Sequence, residues 1–262
     1  MTDDRDAGRP VVAITRARED ALSLAVALDA HGLRPLVAPL IRIVPRPAEG
    51  LAQVLGQWEQ YDWIACTSRH AVDALAEGCR VAGIAPHLLG MLRVAAVGGA
   101  TASALASLGI PVSVVPERGD AEQLAAALLA TAPGAGARVL FPRAAAARDS
   151  LPAALRAAGL LVDDVIAYET LPCEAGAAEL ASALSRQEVA VVTLASGSAA
   201  RAFGALVPAD LHSRTRLVSI GATTSEIARS MGLRVVDEAE SPNVEALARA
   251  ARRAVTETHL NA

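Results

Sequence analysis

The sequence contains no lysine. All 24 of its basic residues are arginine, which excludes Schiff-base chemistry, pyridoxal phosphate attachment and the lysine of a phosphate-binding P-loop. The Arg-only usage itself reads as the mark of a high-GC genome. Aromatics are nearly missing at 2%, so a core must be built from Ala, Val and Leu, which suits helices packed on parallel strands. The three cysteines, Cys66, Cys79 and Cys173, are odd in number and far apart, with no CxxC, and the five histidines show no HExxH-type spacing. A disulfide framework and a structural zinc site find no support, and the cysteines read as inert packing residues. No metal site is expected. Residues 1–10 are polar, without the apolar stretch of a secretory signal, and no run approaches the ~18 apolar residues of a membrane span. The expectation is a soluble cytoplasmic protein. A net charge of −4 spread along the chain leaves no basic footprint for nucleic acid or anionic lipid.

What is present is ample apolar material: 53% of 262 residues, enough for one large domain or two ordinary ones. Short β-branched runs at 11–15, 63–67, 94–97, 112–115, 139–141, 189–194, 217–220 and 233–236 alternate with Ala/Leu-rich helical stretches such as 20–31, 121–130 and 149–158. That alternation reads as an α/β fold with parallel sheets.

The chain also repeats itself. Val11-Val12-Ala13-Ile14-Thr15-Arg16 returns as Arg138-Val139-Leu140-Phe141-Pro142-Arg143, each followed by a helical stretch and a glycine, Gly32 and Gly159. The glycine turn after 94–97, Gly98-Gly99-Ala100-Thr101, matches Gly221-Ala222-Thr223-Thr224, with Gly109 and Gly232 at the same spacing beyond. Ala65-Cys66-Thr67-Ser68 matches Thr193-Leu194-Ala195-Ser196. Three matches in register read as a duplication. The extended segments 34–43 and 163–170 are natural crossings between two lobes.

In parallel α/β sheets the loops at the carboxyl ends of the strands gather on one edge, where ligands bind. Each loop here feeds a helix N-terminus, which offers unpaired N–H groups and a positive dipole end. The residues at these points are small or hydroxylic, and Arg16 and Arg143 occupy equivalent places from which they can fork onto carboxylates. Capping and turn formation explain each one singly. Together they point to a polyanion held in a cleft between two lobes. Val97-Gly98-Gly99 is not GxGxxG, which leaves dinucleotide binding with almost no support.

Ile14-Thr15-Arg16, Ala38-Pro39-Leu40-Ile41-Arg42-Ile43, the run from Asp62 to Val72, Val97-Gly98-Gly99-Ala100-Thr101-Ala102 and Val165-Ile166-Ala167-Tyr168-Glu169-Thr170 resemble the uroporphyrinogen-III synthase family. So do Ser196-Gly197-Ser198-Ala199 and Ile220-Gly221-Ala222-Thr223-Thr224. The resemblance covers the whole chain in order, and Ala-Tyr-Glu-Thr is its best single marker. It implies two flavodoxin-like lobes with parallel sheets, joined by a two-strand linker, with the N-terminal element swapped between lobes. The first lobe would hold 1–38 and 172–262, the second 39–171, with hinge strands near 34–43 and 163–170.

The resemblance further implies a cofactor-free lyase that closes hydroxymethylbilane, a linear tetrapyrrole bearing eight carboxylates, into uroporphyrinogen III with inversion of the last ring and loss of water. It implies Tyr168 as the catalytic group, or alternatively as a packing residue. Thr15, Ser68, Gly98, Thr101, Ser196, Gly197, Ser198, Thr223 and Thr224 are implied as substrate contacts. Arg16, Arg143 and Arg148 are further candidates, unless they pair with Asp20 or Asp149 instead. Trp63 reads as core, and His70 and Tyr61 have no assigned chemistry. A monomer is expected, compatible with transient contact with hydroxymethylbilane synthase. The rival is a non-catalytic ligand-sensing regulator on the same fold. The absence of a basic module before Ala262 favours the enzyme.

Overall fold

A computed structural model describes residues 8–117 and 119–260, with side chains to residue 256. Most of the polar segment 1–10 therefore lies outside the described residues. The chain divides into two compact units, Met1–Ile43 with Leu171–Ala262, and Val44–Thr170. Residues 39–43, assigned from the sequence to the second lobe, fall in the first unit, where the Cys173 N–H donates to the Leu40 carbonyl at 2.9 Å.

The strands are β1 (Val11–Ile14), β2 (Arg34–Val37), β3 (Ile41–Pro45), β4 (Trp63–Cys66), β5 (Arg93–Ala96), β6 (Arg138–Ala144), β7 (Leu161–Pro172), β8 (Val189–Leu194), β9 (Leu217–Ser219) and β10 (Val235–Glu238). The helices between them are α1 (Ala21–Ala30), α2 (Ala48–Leu55), α3 (Arg69–Ala82), α4 (Gly99–Ser107), α5 (Ala121–Leu129), α6 (Ser150–Ala157), α7 (Glu174–Ser185), α8 (Gly197–Leu206), α9 (Ala209–His212), α10 (Ala222–Ser230) and α11 (Val244–Leu260). One sheet runs β10-β9-β8-β1-β2 and the other β3-β7-β6-β4-β5. The pairs among β10, β9, β8, β1 and β2, and among β7, β6, β4 and β5, are parallel. The repeated segments take corresponding places: β1 and β6 sit mid-sheet, β8 and β4 beside them, β9 and β5 next outward.

Central strands such as Val-Val-Ala-Ile and Trp-Ile-Ala-Cys are buried at every position, as sheets covered by helices on both faces require. In the first unit one face packs Leu24 and Leu28 of α1 with Leu247 and Ala251 of α11, and the other packs Phe203 of α8 with Leu180 of α7. In the second unit Val72 and Leu75 of α3 share a face with Leu51 and Leu55 of α2, while Leu124 of α5 and Leu155 of α6 cover the opposite face. The repeated glycines Gly32, Gly159, Gly109 and Gly232 all have positive φ, between 71° and 85°. Each follows the end of a helix and lets the chain turn back toward a strand at little cost, because glycine has no Cβ to clash in that region.

Two expected strands differ. Residues 112–115 form only a bridge from Val114 to Ala95, since Pro111 and Pro116 flank the run and cannot donate to a ladder. Segment 34–43 breaks into β2 and β3 around Pro39. There α7 runs so close that a Cβ on Gly176 would lie 1.9 Å from the Pro39 carbonyl oxygen. Among the described residues no helix is long and apolar enough to cross a membrane, and no group of three or more His, Cys, Asp or Glu is placed to hold a metal ion.

Candidate functional site

In each unit the helices after the two middle strands go to opposite faces, α6 and α3 after β6 and β4, α1 and α8 after β1 and β8. Chains diverging in this way leave a crevice at the carboxyl edge of the sheet, the general ligand position of open α/β sheets. The β6–β4 ladder stops at Leu140–Ile64, two residues short of Pro142, which has no N–H to extend it.

Tyr168 stands at this edge. Along β7, Val162 faces α5 and α6 whereas Val165 faces α2 and α3. Simple alternation would send residue 168 to the Val162 side. The register against β6 shifts, however: Arg143 pairs with Ile166 and Ala144 with Tyr168, leaving Ala167 as an extra residue. This bulge reverses the alternation, as bulges do, and Tyr168 turns toward α3. Its phenol is 2.8 Å from the Ser68 Oγ, its ring lies 5.5 Å from that of His70 at 58°, and it is 8% exposed. Ser68 is held in turn. As N-cap of α3 it accepts the Ala71 N–H at 3.1 Å, a bond that satisfies one orphan donor of the helix.

The remaining expected residues divide into exposed and buried. Gly98 and Gly221 precede α4 and α10 without any side-chain cap, in extended backbone, and a Cβ on either would meet nothing within 4 Å. Neither strain nor packing explains these glycines. What they provide is open approach to the amides beyond them. Thr223 is exposed and Ser198 half-buried. Ser196 repeats the role of Ser68 by accepting the Ala199 N–H at 3.1 Å.

Other candidates are buried or closely packed. Thr15 is fully buried and gives its hydroxyl proton to the Thr193 carbonyl at 2.6 Å, while Thr193 returns one to the Ala13 carbonyl at 2.8 Å. Thr101 and Thr224 are also buried in their helices. A Cβ on Gly197 would come within 2.4 Å of the Ile227 Cδ1, so the tip of that side chain would have to move.

The two equivalent arginines part company. Arg143 is 7% exposed and donates to Asp149 at 2.7 Å, to Asp164 at 2.9 Å and to the Ala147 carbonyl, which is the ion-pair alternative. Arg16 is half-buried and Arg148 exposed, and neither makes an ion pair among the described residues. Beside Arg143, the Arg156 hydrogen bond holds the Asp164 carboxyl below its usual range. Asp163 is lowered similarly, first by the Tyr61 hydroxyl and then by Arg138. Burial, with Asp163 beside it, raises the Tyr61 phenol to about 12. Burial alone raises Cys66 to about 12 and Cys79 to about 11, so these thiols stay protonated at neutral pH.

A family model described as "Uroporphyrinogen-III synthase HemD" matches residues 23–249. The chain is 28% identical over 227 residues to the "Porphyrin biosynthesis protein HemD" of Ruminiclostridium josui, covering 86% of this chain and 45% of that one. It thus spans less than half the length of that relative. To the chloroplastic uroporphyrinogen-III synthase of rice, Oryza sativa subsp. japonica, it is 28% identical over 243 residues, 90% of this chain and 78% of that one. A crystal structure of a mutant uroporphyrinogen III synthase from Thermus thermophilus shares the fold, with a TM-score of 0.66 and 20% identity over 95% of this chain and 99% of that one. The chain belongs to the uroporphyrinogen-III synthase family.

Proposed function

We propose that this chain converts hydroxymethylbilane into uroporphyrinogen III and water. The observation that carries the reading is the Tyr168 phenol, turned by the β7 bulge onto the carboxyl edge and held 2.8 Å from Ser68. The phenol donates to the terminal hydroxyl of the bilane, which departs as water and leaves an azafulvene. The substituted carbon of the last pyrrole attacks it to give a spiro intermediate, which fragments and recloses with that ring inverted. Reclosure sheds one proton, which restores the phenol. The bilane closes unaided to the symmetrical isomer, so the protein contributes mainly positioning.

For the acid side groups of the substrate, the accessible partners are the amides following Gly98 and Gly221, with Ser198, Thr223, Arg16 and Arg148. Each exposed helix terminus contributes ~0.3–1 kcal/mol per anion. Thr15, Thr101, Thr224, Gly197 and Arg143 support these groups from behind. The two units are read as flavodoxin-like lobes with a swapped N-terminal element. The order β2-β1-β8-β9-β10, in which strands from both ends of the chain complete one sheet, supports this. The protein acts as a cytoplasmic monomer without cofactor, compatible with transient delivery from hydroxymethylbilane synthase.

The test is an isomer assay with purified folded protein. Fresh hydroxymethylbilane is supplied, the product is oxidised, and types I and III are separated. The type III isomer is expected, whereas type I alone would favour the non-catalytic regulator.

A further inference from the structure

We infer that Ser68 is a positioning residue which polarises the Tyr168 phenol rather than a contact to the substrate. This rests on the reading of Tyr168 as the acid, and it assigns to Ser68 a role different from the carboxylate contact that its place at a helix start suggests.

The argument is one of proton count. The Ala71 N–H can only donate, and it donates to the Ser68 Oγ at 3.1 Å, so one lone pair of that oxygen is committed to the helix. A serine hydroxyl then has one proton and one further lone pair. The bond from Ser68 to the Tyr168 oxygen, at 2.8 Å, can run in either direction in the resting protein. Once the phenol gives its single proton to a leaving hydroxyl, only one direction remains. Ser68 must donate to the phenol oxygen. The result is a chain of donors, Ala71 N–H to Ser68 O–H to Tyr168 O–H to substrate, starting at the positive end of α3. Bonds aligned head to tail strengthen one another, and charge developing on the phenol oxygen is met by a donor already in place.

The serine is also held in place. It is half-buried, and the backbone bond fixes its rotamer at the point where the bulge delivers Tyr168. The matched serine of the other repeat, Ser196, caps α8 in the same way through the Ala199 N–H. The cap is thus common to both copies, and of the two serines it is Ser68 that also bonds the Tyr168 phenol.

Ser68→Gly removes the hydroxyl at little cost to the helix start, because glycine is itself an acceptable N-cap. Ser68→Thr keeps both cap and donor. With hydroxymethylbilane as substrate, Ser68→Gly is expected to lower kcat about ten-fold, the order of effect of losing one hydrogen bond, with KM within about two-fold of the parent. Ser68→Thr is expected to restore kcat, and Ser68→Gly is expected to cost nothing further in a Tyr168→Phe background. A raised KM with kcat intact would assign Ser68 to the substrate and overturn the inference. Losses that multiply in the double variant would overturn it as well, because Ser68 would then act independently of the phenol. If Tyr168→Phe alone leaves kcat unchanged, the acid reading falls and this inference with it. A slowed Tyr168→Phe beside a normal Ser68→Gly sinks only the inference.

Discussion

The two carboxyl edges are built from the same parts and differ in one strand. Each has a serine-capped helix, α3 behind Ser68 and α8 behind Ser196, and each has a helix opened by an uncapped glycine, Gly98 or Gly221. In the first unit β2 is four residues long, and β1 pairs with it without a shift. In the second unit β7 runs for twelve residues and carries the bulge. Counting on from the corresponding pairs Ile14–Val37 and Phe141–Asp164, Ile41 falls where Tyr168 stands, and Ile41 is packed in the apolar core. The spacing to these two positions is the same, and the shift of register against the neighbouring strand occurs in β7 and not in β2.

The comparison can be sharpened first at the equivalent arginines. Arg143→Ala is expected to lower stability by about 2 kcal/mol. It strips a buried guanidinium from Asp164 and Asp149, whose partial exposure keeps the loss below the 3–5 kcal/mol of a fully buried pair. Arg16→Ala is expected to change stability by less than about 0.5 kcal/mol and to raise KM instead. Urea unfolding beside steady-state kinetics reads both, and equal stability losses would erase the distinction.

The glycines come next. Gly197→Ala must push the tip of the half-buried Ile227 side chain aside and is expected to cost about 1 kcal/mol at most. Gly98→Ala meets nothing and sits in extended backbone, so its stability is expected to hold while substrate binding weakens. Thermal melts and KM values separate the two, and a destabilised Gly98→Ala would show that this loop is packed rather than open.

The smallest expected effect is on acid stability. Asp163 and Asp164 have folded pKa values lowered by their hydrogen-bond donors. Their contribution is therefore fully present above the unfolded carboxylate value, near 3.9, and is lost as pH falls through the lower folded value. The position equivalent to Asp164 in the first unit is Val37, which has no such dependence. Asp164→Asn is expected to flatten the fall in stability below about pH 4, measured by denaturant titration at stepped pH. An unaltered slope would mean that this carboxylate contributes nothing to it.

Much of this scaffold was legible in the sequence because it depends on local pattern. The paired strands, the glycines at helix ends and the small residues at strand termini are each set by neighbours a few residues away. Buried Trp63 and the raised thiols of Cys66 and Cys79 likewise follow from an apolar setting. What was not legible depends on partners far along the chain. The bulge exists only relative to β6, so no run of residues in β7 announces it. Arg16 and Arg143 look alike until Asp164 arrives from the neighbouring strand. Gly197 resembles a ligand loop until Ile227 packs against it. His70, given no role from sequence, lies beside Tyr168 only because the bulge turns that ring toward α3.

The central claim, that chemistry resides in the bulged strand, is tested most directly by Tyr168→Phe in single-turnover formation of isomer III at saturating hydroxymethylbilane. The account predicts a rate lower by on the order of a hundred-fold, with the fold and KM preserved. A rate equal to that of the parent protein would contradict it.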